Sequence, residues 1–226
     1  MSAEDFVSLK ENLIYKVAFF IRDKYQVKSG VNIRLSKNIP IAGGLGGGSS
    51  NAAQTIIALN ELWNLKLTKM EQHDLARQFG SDINFFLEGG TALGEGRGEI
   101  ISPTQTIELD NIFLVNPGFG ISSREAYEAV NISGRENDDW KLLLETGKVE
   151  YCCNALESGV CRRYPEIQHI LDYLREHGAA KAILSGSGAT VVGFCPDRDI
   201  AENFAEYFRR KKYWNCITKT IKRRTK

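Results

Sequence analysis

Ile39-Pro-Ile-Ala-Gly-Gly-Leu-Gly-Gly-Gly-Ser-Ser-Asn-Ala-Ala53 is the stretch from which the rest of the chain is read. Gly43, Gly44, Gly46, Gly47 and Gly48 place five glycines in six positions. Before them, Val31-Asn-Ile-Arg-Leu-Ser36 alternates apolar and polar residues, the period of a half-buried strand. After them, Ser49, Ser50 and Asn51 supply helix-capping chemistry, and Ala52, Ile56, Leu59 and Trp63 recur at helical spacing. The expected element is strand, glycine loop and helix, the helix running from Ser50 to about Leu65. Residues without a Cβ let the backbone approach a ligand and aim several amides at one point. A helix start adds unpaired N–H groups and positive dipole, so the point suits a phosphate. A flexible Gly/Ser linker is the plainer reading, but periodic segments abut the glycines on both sides.

Two familiar nucleotide loops fail letter by letter. A Walker A loop ends in Gly-Lys-Ser/Thr, whereas Gly48 is followed by Ser49. A dinucleotide fingerprint would need glycine at position 49. Pro40-x-x-x-Gly-Leu-Gly-Gly-Gly-Ser-Ser-Asn-Ala-Ala instead resembles the ATP loop of the GHMP small-molecule kinases, which include galactokinase, homoserine kinase and mevalonate kinase. The Gly-Gly-Gly-Ser-Ser-Asn-Ala-Ala form is most similar to members acting on a cytidyl-linked sugar alcohol in non-mevalonate isoprenoid synthesis. Two further segments resemble family motifs in the family's order, Gly80 to Glu99 and Ser185 to Val191.

Composition sets wide bounds. The 226 residues are 42% apolar and 25% charged with net charge +1, ordinary for a globular chain with a sizeable core. No apolar run approaches the ~18 residues of a membrane span, and Met1 to Phe6 has no signal-peptide pattern. Five cysteines without a Cys-x-x-Cys pair, with His169 and His177 scattered, read as reduced structural thiols in a cytosol-like compartment. The tail from Tyr207 to Lys226 carries nine basic residues interleaved with Tyr207, Phe208, Tyr213 and Trp214. That is the one pointer to nucleic acid, and a solvated helix end with a charged terminus is the plainer reading.

Along the chain, Leu13, Ile14, Val17, Ala18, Ile21 and Tyr25 share one face of a first helix, with Asn12 at its start. By residue type Asn12 is a cap and Lys37 a solvated surface lysine. The resemblance places both beside the adenine of ATP. A helix from Lys69 to Phe79 should turn Met70, Leu75 and Phe79 inward and stop at Gly80. In Gly80-Ser-Asp-Ile-Asn-Phe-Phe-Leu87, Asp82 alone would read as a helix cap. A kinase acting on an alcohol needs a group that orients the hydroxyl and accepts its proton, and the resemblance gives Asp82 that role. Asn84 stands where the family segment has proline, which relaxes the turn. Thr91 to Ile101 reads as a hairpin whose charges, Glu95, Arg97 and Glu99, are exposed.

Asn111 to Val115 is an apolar strand, and Ser122 or Ser123 caps a helix bearing Tyr127. Tyr127 is equally a core residue or a stacking platform. The resemblance places Ser123 and Tyr127 at the cytosine of the substrate. Residues 131–150 are polar and unreadable; Tyr151–Tyr164 and Pro165–His177 are two helices, the second burying Ile167, Ile170, Leu171 and Leu174. Ser185-Gly-Ser-Gly188 joins two strands and is explained by a hairpin turn alone. In the family it is the glycine turn beside the ATP loop, which gives Gly186 and Ser187 to the substrate site.

The resemblance implies an α+β, two-domain GHMP kinase fold. Residues 1–105 would be a ribosomal-S5-domain-2-like ATP-loop domain and residues 106–226 a ferredoxin-like C-terminal domain. It implies ATP over Pro40, Ala42, Gly43, Gly44, Leu45, Gly46, Gly47, Gly48, Ser49, Ser50 and Asn51. Mg2+ would be assisted by Ser49 or Ser50, since the loop has no lysine. The partners would be ATP and the cytidyl-linked sugar alcohol, with no membrane, in a bacterial cytosol or plastid stroma, as monomer or homodimer. Family members begin with a strand carrying Pro-Ala-Lys-x-Asn-Leu and a Gly-Tyr-His segment, which this sequence does not contain. The expectation is an incomplete reading frame upstream of Met1. A nucleotide-binding protein without turnover, or another GHMP kinase with a smaller alcohol, are the rivals.

Overall fold

The computed structural model describes residues 11–130 and 139–223. The fold divides into two compact units: residues 1–38, 46–106 and 223–226 form one, and residues 39–45 with 107–222 the other. The division therefore passes through the glycine stretch, between Leu45 and Gly46.

The first unit is a helical cluster with one hairpin. Helix α1 (Leu13–Lys24) is capped by Asn12, whose Oδ1 accepts from the Ile14 amide at 2.9 Å. Its apolar stripe lays Ile14, Val17 and Ile21 against α2 (Gly47–Leu62), which buries Ala52, Ala53, Ile56 and Leu59. Helix α3 (Lys69–Ala76) opens with a capping box between Thr68 and Glu71. Leu75 is buried as the periodicity requires, but Met70 is 73% exposed rather than inward: it lies in the first turn, away from the buried face of so short a helix. Helix α4 (Ile83–Glu88) packs on α2 and α3 and is followed by the hairpin β1 (Ala92–Glu95) and β2 (Ile100–Pro103). Burying each of the large side chains here contributes roughly 1.5–3 kcal/mol.

The alternating stretch 31–36 forms no strand. Among the described residues the hairpin is the only sheet of this unit, and an extended segment with no neighbour has no ladder to hold it. Val31, Ile33 and Leu35 are left exposed.

The second unit is a four-stranded antiparallel sheet in the order β4-β5-β3-β6, from strands β3 (Ile112–Asn116), β4 (Lys181–Leu184), β5 (Val191–Phe194) and β6 (Trp214–Thr218). Between β3 and β4 run the helices α5 (Ser123–Glu128), α6 (Asp139–Thr146), α7 (Glu157–Arg163) and α8 (Pro165–Glu176), with a 3-10 turn at Val149–Tyr151. Helix α9 (Arg198–Arg210) joins β5 to β6. Reduced to the sheet and its two principal helices α8 and α9, this is the split β-α-β ferredoxin-like arrangement. The expected helix from Tyr151 is confined to Glu157–Arg163; upstream, the Asn154 side chain is engaged in a loop, accepting from the Leu156 amide. Helix α8 buries Ile167, Ile170, Leu171 and Leu174, the four residues the stripe selects.

Aromatic side chains of the basic tail are consumed inside this core. Phe208 is buried against Phe113, Tyr207 stacks on Tyr173 at 3.9 Å, and Tyr213 donates to Glu166. They present no interleaved stacking surface to a nucleic acid. Among the described residues no helix is long and apolar enough to cross a membrane.

Candidate active site

The glycine stretch has a different job on each side of Leu45. In the second unit, Gly43 is buried: a Cβ there would lie 3.1 Å from Thr190 Oγ1 and 3.2 Å from Asn116 Nδ2, and its carbonyl accepts from the Thr190 amide at 3.2 Å. Gly44 has φ +73°, and a Cβ would sit 2.0 Å from the Ser185 carbonyl oxygen. Ser185 Oγ donates to the Gly44 carbonyl at 3.0 Å. Ala42 accepts from the Ile121 amide. The loop from Pro40 to Leu45 is thus laid against the turn 185–190, which contains Gly186 and Ser187. Asn154 fixes that turn by donating to the carbonyls of both Leu184 and Gly186 at 2.8 Å. Residue type alone gave Asn154 no distinction; only its two long-range bonds reveal it.

In the first unit, α2 begins earlier than the capping letters suggest. Gly47 and Gly48 are helical, and the cap is Gly46 at φ 61°, not a serine or asparagine. Only glycine adopts that conformation readily, and a Cβ would meet the Phe86 ring at 2.5 Å. Gly46 has no side chain with which to satisfy the first amides of the helix, and those of Gly47, Gly48 and Ser49 make no backbone hydrogen bond; that of Ser50 bonds to the Gly46 carbonyl. Ser49 and Ser50 therefore stand in the first turn rather than ahead of it, and Asn51 follows with its carbonyl accepting from Thr55 Oγ1.

Asp82 lies immediately before α4. It holds the cap position with helical φ and ψ, so its side chain makes no capping bond. Its carboxylate is exposed and takes part in no hydrogen bond or ion pair among the described residues. Asn84, at the position where the family segment has proline, is a bonded residue. It is fully buried, donating to the Glu99 carbonyl at 2.8 Å and meeting His73 Nδ1 at 3.1 Å. The hairpin charges Glu95 and Arg97 are exposed, while Glu99 accepts from the Arg97 amide at 2.7 Å.

Asn12, besides capping α1, lines a 520 Å³ cavity with Tyr15, Arg22, Ile33 and Trp63. Lys37 is half-buried rather than solvated, and burial holds its amine below the usual lysine value. In the second unit Ser122, not Ser123, caps α5, its hydroxyl accepting from the Glu125 amide and Glu125 accepting in return. Ser123 is exposed in the first turn. Tyr127 is 61% exposed, so it is no core tyrosine; it lines a 570 Å³ cavity together with Cys153, Asn154 and Gly186. Among the described residues no cluster of three His, Cys, Asp or Glu side chains could hold a metal. All five cysteines are free thiols.

The sequence matches the family model of the GHMP kinase N-terminal domain over residues 12–90 and that of the C-terminal domain over residues 139–213. The chain belongs to the GHMP kinase family and is a small-molecule kinase. Its relatives narrow this. It is 39% identical over 220 residues to the 4-diphosphocytidyl-2-C-methyl-D-erythritol kinase of Pelotomaculum thermopropionicum, covering 94% of this chain and 77% of that one. It is 42% identical over 196 residues to the kinase of the same name from Caldanaerobacter subterraneus, covering 83% and 68%. A crystal structure of 4-(cytidine 5'-diphospho)-2C-methyl-D-erythritol kinase superposes with TM-score 0.80 at 31% identity, over 94% of this chain and 80% of that one.

Proposed function

We propose that this chain transfers the γ-phosphoryl group of ATP to the 2-hydroxyl of 4-diphosphocytidyl-2-C-methyl-D-erythritol, on the way to isoprenoid precursors. The observation that carries the reading is the free carboxylate of Asp82, uncapped and unpaired on an otherwise apolar segment. Asp82 orients the hydroxyl and accepts its proton as the phosphoryl group moves. The bare amides at the start of α2, with the backbone from Pro40 through Gly44 and Leu45 to Asn51, cradle the phosphates. Asn12 and the desolvated Lys37 serve the adenine end.

The donor set fits a magnesium ion that arrives with the nucleotide. Among the described residues no carboxylate cluster could hold it alone, so phosphate oxygens would supply most ligands and the hydroxyl of Ser49 or Ser50 would complete them. The ion would offset triphosphate charge in a loop without lysine. Tyr127 stacks on the cytosine with Ser123 beside it, and the turn at Gly186 and Ser187 bounds the substrate. Residues 1–105 act as the ATP-loop domain and 106–226 as the C-terminal domain, in a cytosol or plastid stroma, as monomer or homodimer.

Rates of ADP release with the cytidyl substrate, with methylerythritol phosphate and with homoserine test the reading. Turnover should be fastest with the cytidyl compound and should fall by about 10²-fold or more in Asp82→Asn. Equal rates with and without the cytidyl group would overturn the substrate assignment.

A further inference from the structure

Asp82 makes no bond of its own, so the geometry of α4 must aim it. That six-residue helix is held on its buried side by an unusual polar chain. Asn84 is 0% exposed, and its Nδ2 donates to the Glu99 carbonyl in the hairpin at 2.8 Å. This fixes the amide orientation: Oδ1 faces His73, so the Nδ1 at 3.1 Å must be a donor. On the far side of the ring, Nε2 lies 2.9 Å from Glu88 Oε1, at the last residue of the same helix. His73 therefore grips α4 from α3 at both ends, Asn84 and Glu88, while Asn84 ties it to the hairpin turn at Glu99. The His73 bond is the principal reason that Glu88 stays below the usual carboxylate range, with Lys69 and Arg223 adding to it.

We propose that His73 and Asn84 are positioning residues for phosphoryl transfer, fixing the attitude of α4 and with it the carboxylate of Asp82. The inference rests on the assignment of Asp82 as the group that receives the hydroxyl proton. Neither residue touches substrate; a displacement of about 1 Å at a catalytic group is enough to cost rate by up to about 10²-fold.

The test compares His73→Leu, His73→Gln and Asp82→Asn in the full chain, measuring kcat, both KM values and Tm. His73→Leu should lose about tenfold or more in kcat while KM for ATP and for the alcohol stay within about twofold. His73→Gln, whose amide N–H can still donate to Asn84, should regain much of that loss. If Asp82→Asn turns over like the wild type, the assignment of Asp82 falls and this proposal with it. If Asp82→Asn is inactive but a folded His73→Leu keeps the wild-type kcat, or its KM values rise as kcat falls, the positioning role alone is overturned. Should His73→Leu not fold, the same comparison is made on His73→Ala, which likewise bonds to neither Asn84 nor Glu88. The 15N–1H spectrum of the wild-type imidazole decides independently: a proton on Nδ1 at neutral pH supports the chain of bonds, and a bare Nδ1 overturns it.

Discussion

Single glycines here are not interchangeable, and two of them make opposite predictions. Gly44→Ala would force a Cβ to 2.0 Å from the Ser185 carbonyl at φ +73°, with backbone on the other side of the clash. Tm should fall by about 6 °C or more in a thermal melt, the size expected when strain and overlap coincide. Gly48 lies inside α2, and a Cβ there would meet only Leu13 Cδ1 at 3.6 Å. Gly48→Ala should therefore raise Tm by about 2 °C through helix propensity. The sequence points to required glycines rather than a flexible linker, because periodic segments abut the run on both sides. It does not show which. Nor does it single out His73 or Asn154, and it marks Asn84 only as a departure from proline; the bonds of all three run to partners distant along the chain.

Elements were legible to the extent that one buried face dictates them. The stripes of α1 and α8 lie where periodicity puts them, because each packs a single side against its own unit, and the unbroken apolar run of β3 is a strand buried at consecutive residues. The start of α2 lies ahead of the expected Ser50: Ser49 and Ser50 carry good capping chemistry, yet the left-handed Gly46 beside Phe86 sets the boundary. Alternation at 31–36 was an incomplete criterion, since a strand also needs a neighbour. Where a cap does form it should be measurable: Thr68→Ala removes the hydroxyl half of the α3 capping box, keeping only the backbone N–H bond to Glu71, and should cost about 1 kcal/mol in denaturant unfolding, with m unchanged. Of the candidate site, the loop and Asp82 stand out in the sequence because their letters are chemically unusual; the exposure of Tyr127 and the desolvation of Lys37 depend on neighbours that no local window contains.

For the whole molecule, pH should narrow stability from both sides. Glu88 is held below its ordinary value in the folded chain, so its contribution is present above the usual carboxylate pKa of about 4.3 and lost as pH falls through the lower folded value. Glu88→Gln should accordingly flatten the acid limb of a Tm-against-pH curve. Burial pushes the thiols of Cys161 and Cys195 up to about 11, so the unfolded chain ionises first. Stability is then fully present below the unfolded thiol value of about 8.5 and declines as pH rises towards 11. In thiol labelling, the exposed Cys153 and Cys216 should react before the buried Cys152, Cys161 and Cys195. A last consequence belongs to the glycine that opens α2. That end of the helix has no side-chain acceptor, so on the proposed reading part of the chain's cohesion is conditional on an incoming anion. Inorganic triphosphate, which has no base to recognise, should therefore protect the folded chain against heat in proportion to its occupancy, by about 2.7 kcal/mol at a hundred times its Kd. Chloride at matched ionic strength should give no such protection.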